Sequence, residues 1–112
     1  MSGRIEKVNE LIKREISEII AREIELPPDS LVTVVQVKTA SDLTQTKIYL
    51  SVFPIAKAAA ILKILRQRIG YLQGLLNRRL VMHPLPRIEF LIDTTEEEAS
   101  QVEDIIKKNL PS

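Results

Sequence analysis

Apolar residues recur along the chain with two different periods, and the alternation between them predicts the order of elements. Residues 4–24 carry isoleucine, valine and leucine at spacings of three and four with charged residues between them, which is typical of an amphipathic helix. The 31–38 segment (LVTVVQVK) is rich in β-branched residues, and 46–53 (TKIYLSVF) alternates apolar with polar positions. Both are predicted strands. Helical periodicity then runs over 55–80 and ends before two prolines.

Two further elements follow the long helical segment. Residues 87–92 (RIEFLI) form a third predicted strand, and Thr95 with Glu98 makes a capping box that opens a last helix. This order predicts an α+β fold in which the first two strands form an antiparallel hairpin of a three-stranded sheet, with the long helix on one face. With 45% apolar residues, the chain can bury one modest core. We therefore expect residues 1–112 to be one domain, with an ordered core over about 4–108.

Two glycines interrupt the long helical segment. Residues 66–79 read RQRIGYLQGLLNRR, with Gly70 and Gly74 inside the pattern. Glycine in a helix interior costs about 1 kcal/mol relative to alanine. At about 100° per residue both glycines fall on the polar face, opposite the leucine stripe. A glycine there bares backbone and lets a phosphate approach closely, or it forms a small-residue seam for another helix. We predict a kink at Gly70.

The net charge of +1 conceals a strong local asymmetry. Between Asp42 and Glu89 the chain has eight basic residues and no acidic one, whereas the remainder has eight basic and fifteen acidic residues. A basic block of this kind is typical of a polyanion-binding face, although uneven solvated charge is the simpler alternative. The block coincides with the glycine-containing helix. The predicted RNA-binding residues are Lys63, Arg66, Arg68, Gly70, Gln73, Gly74, Asn77, Arg78, Arg79 and Arg87.

The sequence carries no pattern typical of catalysis. There is no cysteine, and the single histidine, His83, lies beside prolines in a context more typical of a structural residue. The three glutamates at 96–98 complement a helix N-terminus. No nucleophile has a nearby base, so no catalytic residue, metal site or cofactor is predicted. With four aromatic residues in all, the composition argues against a sheet surface that stacks single-stranded bases. No apolar run is long enough to span a membrane.

Several stretches resemble the ribosome-binding factor A family, bacterial assembly factors of the small ribosomal subunit. The N-terminal RIEKVNELIKREISEII resembles the first helix of that family. VQVKTASDLTQTKIYLSVF resembles its first hairpin, most specifically at Asp42-Leu43 and at Tyr49-Leu50-Ser51. PRIEFLID, from Pro86 to Asp93, resembles its last strand. The resemblance covers about residues 4–108, and the order and spacing of the stretches are its specific feature.

The resemblance implies a type II KH-like domain, ordered helix-strand-strand-helix-kink-helix-strand-helix. Most KH domains join the two helices by a GxxG loop, whereas this family has an Ala-x-Gly kink. The matching residues here are Arg68, Ile69 and Gly70, so Arg68 stands where the family has alanine. Gln73 and His83 stand where arginine is common in the family, and Arg87 replaces a frequent glutamate.

The resemblance also implies a function. A protein of this family is a non-enzymatic, cytoplasmic and monomeric factor. It binds small-subunit rRNA on the free, immature 30S subunit, assists 16S rRNA maturation and matters most in the cold. No membrane and no small-molecule substrate is implied. The alternative is a KH-like protein–protein interaction module that docks a partner helix at the Gly70/Gly74 ridge. Salt dependence separates the two, because RNA binding releases counterions.

Overall fold

The computed structural model describes residues 3–82 and 85–94, which form three α-helices and a three-stranded mixed sheet. The predicted last helix from Thr95 and the residue His83 lie outside the described residues. A single 3-10 turn follows the second strand. The elements are α1 (Gly3–Glu23), β1 (Leu31–Thr39), β2 (Gln45–Phe53), the 3-10 turn (Ile55–Lys57), α2 (Ala58–Gln67), α3 (Ile69–Arg79) and β3 (Arg87–Ile92).

The central strand of the sheet is β2. It pairs antiparallel with β1, from Leu31 opposite Phe53 to Thr39 opposite Thr46, which confirms the predicted hairpin. On its other side it pairs in parallel with β3. Parallel neighbours need a long crossover between them, and α2 and α3 together supply it. The register between β1 and β2 shifts once, between Val34 and Gln36.

The loop that joins β1 to β2 is held by Asp42. Its Oδ1 accepts hydrogen bonds from the Thr44 backbone N–H (3.1 Å) and from the Thr44 hydroxyl (2.6 Å). These two bonds lower the pKa of Asp42 below its ordinary value. Between them Leu43 adopts a positive φ of 62°, an uncommon conformation for a residue with a side chain, and buries that side chain. Asp42 and Leu43 therefore determine the shape of this loop.

The core lies on one face of the sheet, where the helices cover it. Ile48, Leu50 and Phe90 point from β2 and β3 into this core and are fully buried. Each helix contributes fully buried side chains from one stripe: Ile12 and Ile16 from α1, Ile61 and Leu65 from α2, and Leu72 and Leu76 from α3. Burying a side chain of this size stabilises the fold by about 1.5–3 kcal/mol. The outer face of the sheet is not covered by any helix in the described part of the chain.

The long helical segment is broken, as predicted, but the break lies at Arg68 and not at Gly70. The Arg68 N–H donates to both Ile64 O and Leu65 O (3.2 Å each), which tightens the last turn of α2. The Arg68 O in turn accepts from the Leu72 N–H (3.0 Å). Gly70 is the second residue of α3 and has no positive φ. The break therefore lies in the backbone of Arg68, whose φ of −102° and ψ of 11° leave the helical region without requiring glycine.

The Gln73 side chain fastens α3 to the start of β3. Its Oε1 accepts a hydrogen bond from the Ile88 backbone N–H (2.9 Å), and its Nε2 donates to Pro86 O (3.0 Å). The same Nε2 donates to Asn77 Oδ1 (2.9 Å), one turn further along α3. These half-buried bonds hold the backbone on both sides of Arg87. We call this set of hydrogen bonds the Gln73 latch.

Replacement of Gln73 by alanine should lower the free energy of unfolding by about 1–3 kcal/mol, because the Ile88 N–H and the Pro86 carbonyl would lose their partner. Urea denaturation would measure the change. Gln67→Ala is the matched control, since Gln67 is exposed at the end of α2 and its loss should change stability by no more than about 0.5 kcal/mol. Equal stability of the two variants would show that the latch contributes nothing.

Candidate nucleic-acid interface

The exposed face of α3 is centred on its two glycines. Gly70 and Gly74 are one helical turn apart and both are exposed. A Cβ atom added at either glycine would meet no atom within 4 Å. Within residues 3–82 and 85–94, therefore, no other element packs against this ridge, and the helix backbone itself is accessible there. The Gly70/Gly74 ridge is open to a ligand from outside the described chain.

Three exposed cations flank the ridge along the chain. Lys63 and Arg66 lie on the exposed side of α2, and Arg78 lies in the last turn of α3. The Arg66 Nη2 donates to Phe90 O (3.2 Å), which ties its guanidinium to β3. None of the three makes an ion pair within the described residues. These charges are thus available to a polyanion. We call Lys63, Arg66, Arg78 and the two glycines the helical face.

Arg68 stands at the break, and its guanidinium lies 4.8 Å from the ring centroid of Tyr71. The Tyr71 hydroxyl in turn donates to Glu23 Oε2 (2.8 Å), at the end of α1. This hydrogen bond is the main cause of a raised pKa of Tyr71. Arg68 is exposed, so it remains accessible at the break, but its charge is oriented by the aromatic ring and by α1.

Arg79 differs from the cations of the helical face, although it belongs to the same basic block. Its guanidinium contacts Glu15 (3.0 Å) and Glu18 (3.5 Å), both on α1. Nine residues separate it from Gly70, which at about 100° per residue places it on the opposite side of α3. Arg79 therefore connects α3 with α1, and its charge is paired with carboxylates of the same chain. The sequence contained no local signal for this pairing, because α1 and α3 are distant along the chain.

The remaining predicted residues lie at the boundary between α3 and β3. Gln73 and Asn77 are half-buried and bond to each other, and Gln73 also forms the latch with β3. In the structure, these two side chains support the contact between α3 and β3. Arg87 is exposed at the first position of β3, directly between the two backbone groups that Gln73 holds. It lies next to the helical face and has no ion-pair partner in the described part of the chain.

The described residues do not favour a metal site or a membrane-spanning helix. No group of three or more histidine, cysteine, aspartate or glutamate side chains there could hold a metal ion. None of the described helices is long and apolar enough to cross a membrane. The exposed cations and glycines can bind an anionic backbone.

The fold is that of a type II KH-like α+β domain, because it combines a hairpin, a broken helix and a parallel third strand with one helical layer. In this chain the broken helix is basic. The family model for ribosome-binding factor A matches residues 4–106. A protein named ribosome-binding factor A from Akkermansia muciniphila is 34% identical over 114 residues, covering 99% of this chain and 90% of that protein. One from Ralstonia nicotianae is 35% identical over 105 residues, covering 94% and 85%. The chain belongs to the ribosome-binding factor A family.

Solved structures agree with this assignment. The crystal structure of ribosome-binding factor A from Thermus thermophilus matches with a TM-score of 0.65 and 29% identity, covering 79% of this chain and 93% of that one. A Thermus thermophilus homology model, fitted into a cryo-EM map of a complex of the 30S subunit with ribosome-binding factor A, matches with a TM-score of 0.64 and 31% identity, covering 76% and 90%. The resemblance to the family that the sequence suggested is confirmed.

Gly74→Ala should raise the free energy of unfolding by up to about 1 kcal/mol, because Gly74 lies inside α3 and an added Cβ meets only open space. Thermal or urea denaturation would measure the gain. The reciprocal control is Ala60→Gly on the exposed side of α2, which should lose a comparable amount. A destabilised Gly74→Ala variant would mean that the ridge is packed against part of the protein.

Proposed function

We propose that the protein binds the immature 30S small ribosomal subunit through the helical face and assists maturation of its 16S rRNA. The observation that carries the proposal is the open Gly70/Gly74 ridge, bordered by Lys63, Arg66 and Arg78 with no acidic residue nearby in sequence. Membership of the family supports it, as does the fitted 30S complex of a relative that is 31% identical.

The chemistry of the helical face fits an RNA backbone. Lysine and arginine side chains supply the phosphate contacts that dominate nucleic-acid affinity. The bare backbone at the glycines allows a phosphate or sugar to approach more closely than any side chain would permit. The break at Arg68 also places the N-terminus of α3, with its partial positive charge, beside Gly70. Three features thus favour the same ligand.

In this proposal the protein acts by binding alone, as a monomeric, non-enzymatic factor in the cytoplasm. Binding to one conformation of the rRNA stabilises that conformation by the differential affinity for it. Incorrectly paired RNA helices persist longer at low temperature, so such a factor has its largest effect in the cold. The 16S rRNA and the free 30S subunit are the proposed partners, and no small molecule or cofactor is part of the proposal.

A second candidate is a protein–protein module that docks a partner helix on the Gly70/Gly74 ridge. The open space above both glycines favours it, because small residues let two helices approach closely. The cations around the ridge favour RNA instead. Binding of a helix would depend weakly on salt, whereas binding of RNA weakens steeply as salt rises.

Charge reversal at Lys63 and Arg78 together should weaken binding to 30S subunits by about tenfold or more at moderate salt, and should flatten the logarithmic salt slope by about two units. These two cations are chosen because neither has a partner inside the described chain, whereas Arg66 is bonded to Phe90 O. Filter binding or sedimentation with purified subunits across a salt series would measure both quantities. Stability should change by no more than about 0.5 kcal/mol.

The matched control for this pair is reversal of Arg4 and Lys7, two exposed cations in the first turns of α1. The control removes the same net charge from a different surface. If the control weakens binding as much as the Lys63 and Arg78 pair does, only net charge matters and the helical face has no special role. If neither pair weakens binding and the salt slope is flat, the helix-docking alternative is favoured.

Gly70→Ala and Gly74→Ala together should weaken binding to 30S subunits although they should not destabilise the fold. The added methyl groups occupy space that the proposal assigns to rRNA backbone. A variant that is at least as stable as the parent protein and binds less tightly separates function from folding. Unchanged affinity of this variant would show that no close approach occurs at the ridge.

A further inference from the structure

Two of the four aromatic side chains lie on the outer face of the sheet, away from the helices. Tyr49 and Phe53 are both on the central strand β2. Phe53 is 72% exposed, and Tyr49 is half-buried. Of the other two aromatics, Phe90 is in the core and Tyr71 is bonded to Glu23. The composition argued against a sheet surface that stacks bases, but a count of aromatic residues does not show that two of them share one exposed face.

Basic residues accompany these aromatics on the same face. Lys38 of β1 and Lys47 of β2 are directly opposite each other in the antiparallel ladder. Like charges directly opposite each other are destabilising, although Glu89 of β3 lies opposite Lys47 on its other side. Arg87 of β3 lies diagonally from Lys47, one strand away. Within the described residues none of the three forms an ion pair, and Glu89 is the one carboxylate on this face of the strands.

The lysine of β1 is already positioned over an aromatic ring. The Lys38 Nζ lies 5.5 Å from the ring centroid of Tyr49, within the range of a cation–π interaction. The tyrosine is therefore adjacent to a charge that can contact a phosphate. Polar side chains on the neighbouring positions, Thr33, Gln36 and Ser51, add hydrogen-bonding groups to this face.

We propose that the outer face of the sheet is a second RNA-binding surface, and that its ligand is a single-stranded segment. Bases stack on Phe53 and Tyr49, and phosphates contact Lys38, Lys47 and Arg87. Stacking on aromatic residues with nearby cations is the usual way in which proteins bind single strands, and a duplex cannot offer its base faces in this way. Four residues of strand separate the two rings by about 13 Å, so they hold bases that are not immediate neighbours. The proposal rests on the RNA-binding function proposed above and adds a second contact to it.

The two surfaces meet at the edge formed by β3. The Gln73 latch holds Pro86 and Ile88 against α3 on the side of the helical face, while the Arg87 side chain between them is exposed. An RNA strand on the sheet can therefore continue past Arg87 toward Arg66, whose guanidinium bonds to Phe90 O of the same strand. This continuity favours RNA as the occupant of the sheet face, and it allows one rRNA to contact both surfaces.

The test measures binding of the full chain to an unstructured single-stranded RNA of about eight nucleotides, alternating adenine and cytosine, by fluorescence anisotropy. Phe53→Ala should weaken binding at least about fivefold, since loss of one stacked base costs about 5–150-fold. Lys47→Glu should weaken it about as much. Glu89→Lys removes the one carboxylate of this face and should strengthen binding severalfold, a gain that misfolding cannot produce. Backbone amide NMR signals of 45–53 should shift on titration.

Comparison with the helical face separates this proposal from the previous one. The Lys63 and Arg78 reversal should leave affinity for the short single strand within about twofold, whereas it weakens 30S binding. A duplex RNA of the same length should bind the sheet variants and the parent protein equally. If Phe53→Ala and Glu89→Lys both bind the single strand as the parent does, or if the shifted signals map to α2 and α3 alone, the sheet face is not an RNA site. That result leaves the 30S binding by the helical face unaffected.

Discussion

The departure of the Arg68 backbone from helical geometry is the constraint on which the rest of the structure depends. Without it, α2 and α3 would form one continuous helix of about 33 Å. With the break, α2 packs on β3, α3 packs on α1, and the stripes of both helices are fully buried at Leu65, Leu72 and Leu76. Gly70 lies directly after this break, on the exposed side of the first turn of α3. The break and the candidate interface are therefore neighbours.

The fold also gives the cations of the basic block two different roles, so that some form ion pairs within the chain and others remain available at the surface. Arg79 forms ion pairs with Glu15 and Glu18 at the surface, and these pairs join α3 to α1. Lys63 and Arg78 form no ion pair within the described residues. Such sorting follows from helix geometry, because residues on opposite sides of α3 meet either α1 or solvent. A surface that binds a polyanion needs cations that no internal acid already satisfies.

Local patterns were sufficient to predict most of the fold. The periodicity placed α1, the three strands and the end of α3 within one residue of their observed bounds, whereas α2 begins three residues after the predicted start because Ile55–Lys57 form a 3-10 turn. The leucine stripe correctly separated core from surface. The predicted position of the break was wrong by two residues, because the non-helical backbone conformation is at Arg68 and not at a glycine. The internal roles of Gln73 and Arg79 could not be predicted, since their partners on β3 and α1 are distant in sequence. The shared outer face of Tyr49 and Phe53 was missed for a different reason: only the number of aromatic residues was considered, although the alternation of β2 places both on one side.

The most direct test of the account is a high-resolution cryo-EM structure of this protein bound to the 30S subunit. The complex should show rRNA backbone in van der Waals contact with the Cα atoms of Gly70 and Gly74, phosphates within about 4 Å of the Lys63 and Arg78 head groups, and Arg79 still paired with Glu15. Binding through the helical face would be contradicted by a complex in which a ribosomal protein helix occupies the Gly70/Gly74 ridge, or in which the ridge faces solvent while another surface contacts the rRNA.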